Sequence, residues 1–457
     1  MPIYSQGYPM SKSTVYVVHT IDTEGPLYEP LRANFERIEE MMGHKIDVSV
    51  ENLSKLQNKQ IDLGGDEEQV CRILSAKRIG THQNWAQIDL MLDKITSTEY
   101  RNKILDSDGG GWIFNWLCMT HVGITGMNPR RRDMGYHNIY DHYQEYFDKK
   151  SDNRDLIQWH YHALSLTNDA HRAGSTYLNS DHIYKILSRS IIDRSWFPSV
   201  FRAGHVTIRP DSHFFLEQWI PFDFSNSNFD KVENPESAAK FGDWRRAPRS
   251  WIPYHPSYED YQKPGSCNRY IGRCASIDDR GYSLSYEDVR QAFQEAQDTG
   301  ASIFAVTNHD FRDMAPDIEL VRKYLTRCQL EFQGVNFKFS NAIDAMRSTF
   351  NMKESKEIRF NIEMNDYKSH KKLIITAANK IFGVQPYLAL KTKTGDYVWQ
   401  NLDFERENAW SYSFDVYNLT LDQVDQIGVA ANTASGLSEI INLNPHTGEQ
   451  KRTVLNK

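Results

Sequence analysis

Short apolar runs, rich in β-branched and aromatic residues, recur along the first 350 residues and are separated by longer stretches with helical periodicity. They predict seven strands: Thr14–Val18, Trp112–Met119, Leu156–His162, Phe197–Arg202, Trp219–Phe224, one within 244–280, and Ala301–Thr307. Such strand–helix alternation favours an α/β fold with a mainly parallel sheet, either open or closed into a barrel. In folds of this kind, functional side chains gather at the carboxyl ends of the strands.

The span 26–110 is a large insertion in this pattern. It is predicted to be mainly helical, because apolar residues such as Leu31 and Ile38 recur at helical spacing. Further along the chain, Ser285 and Asp288 have the spacing of a capping box, which predicts the start of a helix before the seventh strand.

After residue 350 the pattern changes to strand-type alternation without intervening helices. Four short segments carry it: 358–362, 372–376, 387–390 and 397–399. The tripeptide Thr394-Gly395-Asp396, just before the last segment, is typical of a hairpin turn. We therefore predict two domains, an α/β domain over 1–350 and a small C-terminal β-sandwich over 351–457.

The composition is that of a globular protein and argues against a nucleic-acid or membrane partner. The net charge is −7, so no polybasic surface is expected. Arg130–Arg132 is interpreted as a solvated turn, with a local patch for an anionic ligand as the alternative. No run reaches the ~18 apolar residues that a membrane span needs, and the N-terminal residues lack the apolar core of a secretory signal. Five cysteines without a CxxC pair predict reduced thiols and a cytoplasmic protein.

The segment Asp22-Thr23-Glu24-Gly25 follows the first predicted strand. Residues two apart on a strand point to the same side, so Asp22 and Glu24 lie side by side if the strand continues. Two neighbouring carboxylates raise each other's pKa unless a cation lies close by, and a metal ion or an arginine would serve. The alternative interpretation is a turn with two solvated acids.

Three further strand ends carry candidate side chains. His160 and His162 share one face of the third strand and are able to hold one metal ion together. Arg202, at the end of the fourth strand, is placed to contact a carboxylate. His309 follows the seventh strand beside Asp310 and is a candidate general acid. The plainer alternatives are structural: core or surface imidazoles, a surface arginine, and an N-capping segment for the next helix.

The remaining candidate histidines are interpreted as structural or surface residues. This group comprises His121, His137, His142, His171 and His205, with His171 kept as an alternative further ligand near His162. His255 has the same structural or surface interpretation, but its segment Tyr254-His255-Pro256 is also predicted to line a cleft. Tyr254 and His255 are therefore candidate substrate-binding residues.

Taken in order along the chain, these segments resemble the motifs of the polysaccharide deacetylase (NodB-homology, carbohydrate esterase 4) superfamily. The matches, within residues 14–350, are Thr20–Gly25, His160 with His162, Phe201–Gly204 and Val306–His309. The resemblance implies a distorted seven-stranded β/α barrel. It also implies a divalent metal ion, foremost zinc, held by two histidines and an acid.

The resemblance further implies a function, the removal of an N-acetyl group from an amino sugar or oligosaccharide. The implied roles are metal ligation by Glu24, His160 and His162, proton abstraction by Asp22, orientation of the base by Arg202, and general acid catalysis by His309. The roles of Asp22 and Glu24 are interchangeable at this point, because both face the same way.

The motifs depart from the usual pattern. Thr23 separates two acids that are usually adjacent, one residue rather than three separates the histidines, and the usual proline of the third motif is missing. These departures resemble the divergent branch found among surface-polysaccharide (O-antigen) biosynthesis proteins.

Two other functions stay open. One is a glycosidase, in which Asp22 or Glu24 pairs with a distant acid such as Asp223 or Asp310. The other is a barrel that binds glycan or scaffolds a complex without catalysis.

Overall fold

The computed structural model describes residues 13–120, 135–150, 154–163, 177, 181–228, 242–277, 283–353 and 356–457. Seven parallel strands form a closed ring, in which each strand pairs with the next along the chain and the last pairs with the first. They are β1 (Thr14–Thr23), β2 (Phe114–Thr120), β3 (Leu156–Tyr161), β4 (Val200–Ala203), β5 (Phe222–Asn226), β6 (Tyr270–Ser276) and β7 (Ala301–His309). The predicted parallel sheet is confirmed, and it is closed into a barrel.

Strand β1 has two successive neighbours on the side away from β7. Its first four residues pair with an eighth parallel strand, β8 (Asn336–Phe339), and its last five pair with β2. The sequence prediction did not include β8. It also ended β1 five residues too early, at Val18 instead of Thr23. The longer strand carries Asp22 within the sheet.

Helices lie between the strands along the chain and fill the insertion. The described residues include α1 (Leu31–Met42), α2 (Val50–Gln57), α3 (Glu67–Ile73), α4 (Ala76–Ile79), α5 (Trp85–Ile95), α6 (Thr98–Arg101), α7 (Asn138–Asp148), α8 (His182–Arg194), α9 (Pro210–Trp219), α10 (Tyr286–Thr299), α11 (Ala315–Glu331) and α12 (Ala342–Thr349). The first six lie within 26–110, which confirms its helical character. The predicted capping box of Ser285 and Asp288 opens α10.

The fifth strand begins at Phe222 rather than at the predicted Trp219. Trp219 is the last residue of α9, and the amide of Ile220 still donates to the carbonyl of Leu216 at 2.9 Å. Pro221 follows directly and lacks an amide hydrogen, so the helix cannot continue. Apolar content alone did not distinguish the end of this buried helix from the start of a buried strand.

The half of the barrel nearest the amino ends of the strands is filled by apolar side chains and closed by α12. Val18, Phe222 and Ile303 belong to one buried cluster that also includes Met346 from α12. The Asn115 side chain, near the start of β2, accepts a hydrogen bond from the Ala342 amide at 2.7 Å and ties α12 to this end. The amino end of the barrel is therefore closed by α12 and its apolar contacts.

Residues 356–457 form two antiparallel sheets. One has the strand order β13-β14-β10-β9 and the other β12-β11-β15-β16-β17. The strands are β9 (Phe360–Tyr367), β10 (His370–Ala377), β11 (Tyr387–Thr392), β12 (Tyr397–Gln400), β13 (Asp403–Arg406), β14 (Ala409–Phe414), β15 (Val424–Asn432), β16 (Ser438–Leu443) and β17 (Gln450–Leu455). Both sheets contribute to one buried apolar cluster, consistent with a sandwich. The predicted hairpin turn joins β11 to β12, with Gly395 at φ +88°.

The C-terminal sheets also pack against the barrel, mainly through α8. Trp399 stacks on Tyr184 of α8 with ring centroids 4.5 Å apart. The buried Asn432 side chain donates to the carbonyls of Pro198 and Trp219 at 2.7 and 2.8 Å. These contacts join the two parts through one continuous apolar core.

All five cysteines are free thiols, as predicted from their spacing. Within the described part of the chain, no helix combines the length and the apolar character needed to cross a membrane.

Candidate metal centre

Glu24 lies in the turn after β1, and this turn is held by the carboxylate of Asp310, the residue after β7. Asp310 accepts hydrogen bonds from the amides of Glu24 and Gly25 at 2.8 and 2.9 Å, one on each carboxylate oxygen. The Tyr143 hydroxyl donates to the same carboxylate at 2.9 Å. Gly25 has φ +69°, a conformation that glycine adopts readily. Asp310 therefore holds the backbone from which the Glu24 side chain projects.

Asp310 is fully buried, and burial raises its pKa to about 6 even though three donated hydrogen bonds oppose this shift. The sequence suggested two other roles for it, an N-cap and a second glycosidase carboxylate. Asp310 does not cap α11, because the N-cap residue of this helix is Met314, without a capping side chain. The only sequence signal that Asp310 supports the site was its position next to His309.

Glu24, His160 and His162 form a compact group at the carboxyl end of the barrel that could hold a metal ion. The two Nε2 atoms of the histidines are 3.0 Å apart. Glu24 Oε1 lies 3.8 Å from His160 Nε2 and 3.4 Å from His162 Nε2. Bonds of about 2.0–2.1 Å in a tetrahedral arrangement separate two ligand atoms by about 3.4 Å. The three side chains therefore fit a common ion without a large rearrangement.

The tautomer of His160 is set by β4. His160 Nδ1 lies 2.9 Å from the Arg202 carbonyl oxygen, which can only accept, so Nδ1 carries the proton. The lone pair is then on Nε2, the atom that faces Glu24 and His162. A backbone carbonyl that orients an imidazole in this way is a common support of metal-binding histidines.

Arg202 contacts Asp22 and not Glu24. Its Nε donates to both oxygens of Asp22, at 2.9 and 3.2 Å, and Nη1 donates to the Phe224 carbonyl at 2.7 Å. Burial alone raises the pKa of Asp22, but Arg202, followed by His160 and His309, outweighs burial and places it below its ordinary value. Asp22 is therefore ionised at neutral pH.

His309 is the most exposed member of the group. Its side chain is 35% accessible, against 8% for Asp22 and for Glu24. Nε2 lies 3.9 Å from Asp22 Oδ2 and 3.8 Å from Glu24 Oε1. The strand register explains this position, because His309 on β7 is directly opposite Asp22 on β1. The imidazole is thus the part of the group most accessible to solvent.

Six of the eight predicted site residues come together at this end of the barrel: Asp22, Glu24, His160, His162, Arg202 and His309. Tyr254 and His255 do not join them. Tyr254 exchanges backbone hydrogen bonds with Ile271 at the amino end of β6, and the His255 ring lies 3.8 Å from that of Tyr270. Their assignment as substrate-binding residues stays a prediction. The Pro- and Tyr-rich segment suggested a cleft, but its pairing with the start of β6 was not visible in the sequence.

Two of the histidines interpreted as structural are so in the fold. His137 is buried and hydrogen-bonded to Ser190 at 2.7 Å, and His142 stacks on Trp85 with ring centroids 3.9 Å apart. His121, His171 and Arg130–Arg132 lie outside the described residues.

His205 differs from the structural interpretation, because it packs against a member of the cluster. Its ring meets that of His162 edge to face, with centroids 4.8 Å apart. Burial, and next the neighbouring His162, lowers the pKa of His205 to about 3. Its position just after the Phe201–Gly204 motif was the available signal.

No protein-family model matches this chain, and no curated protein matches it either.

Proposed function

We propose that this protein is a metal-dependent hydrolase that removes an N-acetyl group from an amino sugar, within a barrel of the distorted β/α type. One observation carries the proposal. A two-histidine, one-carboxylate group lies beside an arginine-bound aspartate and a partly exposed histidine, all at the carboxyl end of a closed parallel barrel. The order of the motifs along the chain supports the same reaction.

The donor set suits zinc, which binds imidazole nitrogen and carboxylate oxygen and keeps an open position in catalytic sites with three protein ligands. We assign Glu24, His160 and His162 as the ligands, since Asp22 is occupied by Arg202. A divalent cation held there would lower the pKa of water and polarise the acetamide carbonyl.

The protein's own side chains then have separate tasks. Asp22 takes the proton of the attacking water, and Arg202 keeps the carboxylate ionised and aimed at the site. His309 gives a proton to the sugar amine as the amide C–N bond breaks. We further propose a cytoplasmic precursor of a surface polysaccharide as the substrate, in line with the divergent branch that the motifs resemble.

The glycosidase alternative needs a second carboxylate, and the structure argues against both Asp310 and Asp223 in that role. Asp310 uses both oxygens on the turn at Glu24. Asp223 is completely buried, accepts from the Ser225 amide and lies 3.4 Å from the Arg269 guanidinium. Neither is available to flank a glycosidic bond. A non-catalytic glycan-binding barrel is left to experiment.

Elemental analysis of the zinc-supplemented protein tests the proposal together with acetate release from a panel of N-acetylated sugars. We expect about one zinc ion per chain, and its loss in the double variant His160→Ala/His162→Ala. His255→Ala is the matched control, because His255 lies at the other end of the barrel. Absence of zinc from the supplemented protein would overturn the metal site. Zinc binding without acetate release from any sugar would favour a glycan-binding role.

A further inference from the structure

The turn after β4 has an unusual backbone. Gly204–Val206 form a short 3₁₀ segment in which His205 has φ +51° and Val206 has φ +48°. Histidine is among the residues that tolerate this left-handed region, but a β-branched valine there is a genuine outlier. Strained residues of this kind persist where the surroundings enforce them, and they cluster at functional sites.

Two contacts from one neighbouring segment enforce the conformation. The indole Nε1 of Trp244 donates to the Val206 carbonyl at 2.8 Å, and Trp244 itself is buried. Gly242 approaches the same carbonyl so closely that a Cβ atom at this position would lie 2.1 Å from the oxygen. The strained turn is therefore held in place by the segment that contains Gly242 and Trp244.

On its inner side the turn packs against His162, one of the three residues of the candidate metal centre. The His205 ring lies edge to face against His162, with an interplanar angle of 71°. Gly204 approaches the same imidazole, since a Cβ atom there would lie 2.4 Å from His162 Cδ2. His160 is oriented by a backbone carbonyl, whereas the turn acts on His162 by packing.

We propose that His205 is a positioning residue, whose ring is pressed by the strained turn against His162 and fixes that imidazole in the orientation needed to hold the metal ion. This inference rests on the proposed function, because it takes Glu24, His160 and His162 as the ligands. His205 is outside the three-residue group whose ligand atoms lie within 4.8 Å of one another, so it acts through His162.

Three side chains at position 205 test the role. His205→Asn removes the ring but keeps a residue that tolerates the left-handed conformation. His205→Phe keeps an aromatic edge without ring nitrogens. Zinc affinity is measured by competition with a chromophoric chelator, and the absorption spectrum of the cobalt-loaded protein reports ligand geometry. We expect His205→Asn to bind zinc about 10–100-fold more weakly with an altered cobalt spectrum. We expect His205→Phe to stay close to the wild type in both.

The controls separate this inference from the proposed function. If the wild-type protein binds no zinc, the proposed function itself fails. If the wild type binds zinc and His205→Asn binds it equally well, the positioning role is overturned while the metal site stands. A loss in His205→Phe as large as in His205→Asn would also overturn it, because packing would not be the cause. The thermal midpoint of each metal-free variant, with His255→Asn alongside, shows that a weaker affinity does not reflect unfolding.

Discussion

Asp22 and Glu24 are two residues apart, yet they have different nearest partners. Asp22 receives two hydrogen bonds from Arg202, while Glu24 faces the Nε2 atoms of His160 and His162. A carboxylate fixed by a guanidinium stays ionised and keeps its geometry. A carboxylate that faces two imidazole nitrogens is suited to share a cation with them. This difference supports the proposed assignment of Asp22 as the base and Glu24 as the ligand.

Substitution of each acid by its amide is expected to separate the two roles. Asp22→Asn keeps about the wild-type zinc content but lowers kcat by a factor on the order of 10²–10⁴, since an amide cannot accept the proton. Glu24→Gln loses zinc, because an amide is a poorer ligand. Metal analysis and acetate release on both proteins check this, with the exposed Glu36→Gln as control. Loss of zinc in Asp22→Asn with retention in Glu24→Gln would reverse the assignment.

His19 is a buried, neutral imidazole of β1. Its Nδ1 accepts a hydrogen bond from the Trp112 indole at 3.1 Å, and its Nε2 lies 3.0 Å from Asn308 Oδ1. Burial lowers the pKa of His19 from 6.5 to about 4, with Asn308 opposing the shift. A second proton would have to sit on Nδ1, where Trp112 already points a donor.

Stability should therefore depend on pH through His19. Above pH 6.5 the imidazole is neutral in both folded and unfolded chains and contributes no slope. Between pH 6.5 and pH 4 the imidazole is protonated in the unfolded chain but stays neutral in the folded chain. The free energy of unfolding therefore decreases as the pH is lowered through this range, by up to about 3 kcal/mol. Urea unfolding at several pH values checks this. His19→Gln should show a shallower fall than the wild type, and equal slopes would contradict the assignment.

The ends of four strands build the site, and the sheet register brings them together. His309 on β7 is opposite Asp22 on β1, and His160 on β3 is opposite Arg202 on β4. The turn after β4 then depends on Gly204, because this backbone passes directly beside the His162 ring. A side chain at this position would occupy the space of the imidazole.

Gly204→Ala is expected to displace His162 by about 1 Å, since the added Cβ would otherwise lie 2.4 Å from the ring. A displacement of this size at a reacting centre lowers the rate on the order of 10²-fold, and zinc affinity should fall with it. Gly334→Ala is the matched control, because a Cβ atom there meets nothing within 4 Å. Wild-type zinc affinity in Gly204→Ala would show that the ring can move aside at no cost.

The barrel and the C-terminal sheets share apolar packing across the whole molecule. Tyr387 of β11 and Ile440 of β16 belong to the same buried cluster as Phe197 and Trp219 of the barrel region. Units with a common core unfold together, because neither keeps its buried surface when the other is lost. We therefore expect a single cooperative transition for the full chain.

Asn432→Ala tests this coupling, because the buried amide donates to two carbonyls of the barrel region. Leaving those carbonyls unsatisfied costs about 1–3 kcal/mol. The expected result in differential scanning calorimetry is one transition at a lower midpoint, with Asn418→Ala in an exposed loop as control. Two separate transitions in the wild type would show that the C-terminal sheets fold independently.

Local rules account for what the sequence predicted correctly. The alternation of strands and helices, the capping box of α10 and the turn at Gly395 depend on neighbouring residues. The gathering of His160 and His162 with the acids follows from the common edge at which parallel strands end. Strand β8 was missed because its four residues are too short a pattern. The pairing of Tyr254 with the start of β6 was not predicted, because such a bridge has no local signature.

The sequence by itself determined which residue types end each strand and that parallel strands bring them to one edge, because strand direction and side-chain alternation are local properties. Only the tertiary structure decided which acid faces the Nε2 atoms of His160 and His162 and which one is hydrogen-bonded by Arg202. Arg202 reaches Asp22 across 180 residues of chain, and Asp310 holds the Glu24 turn across 286. Such pairings arise from closure of the barrel and its register, which bring distant strand ends to hydrogen-bonding distance.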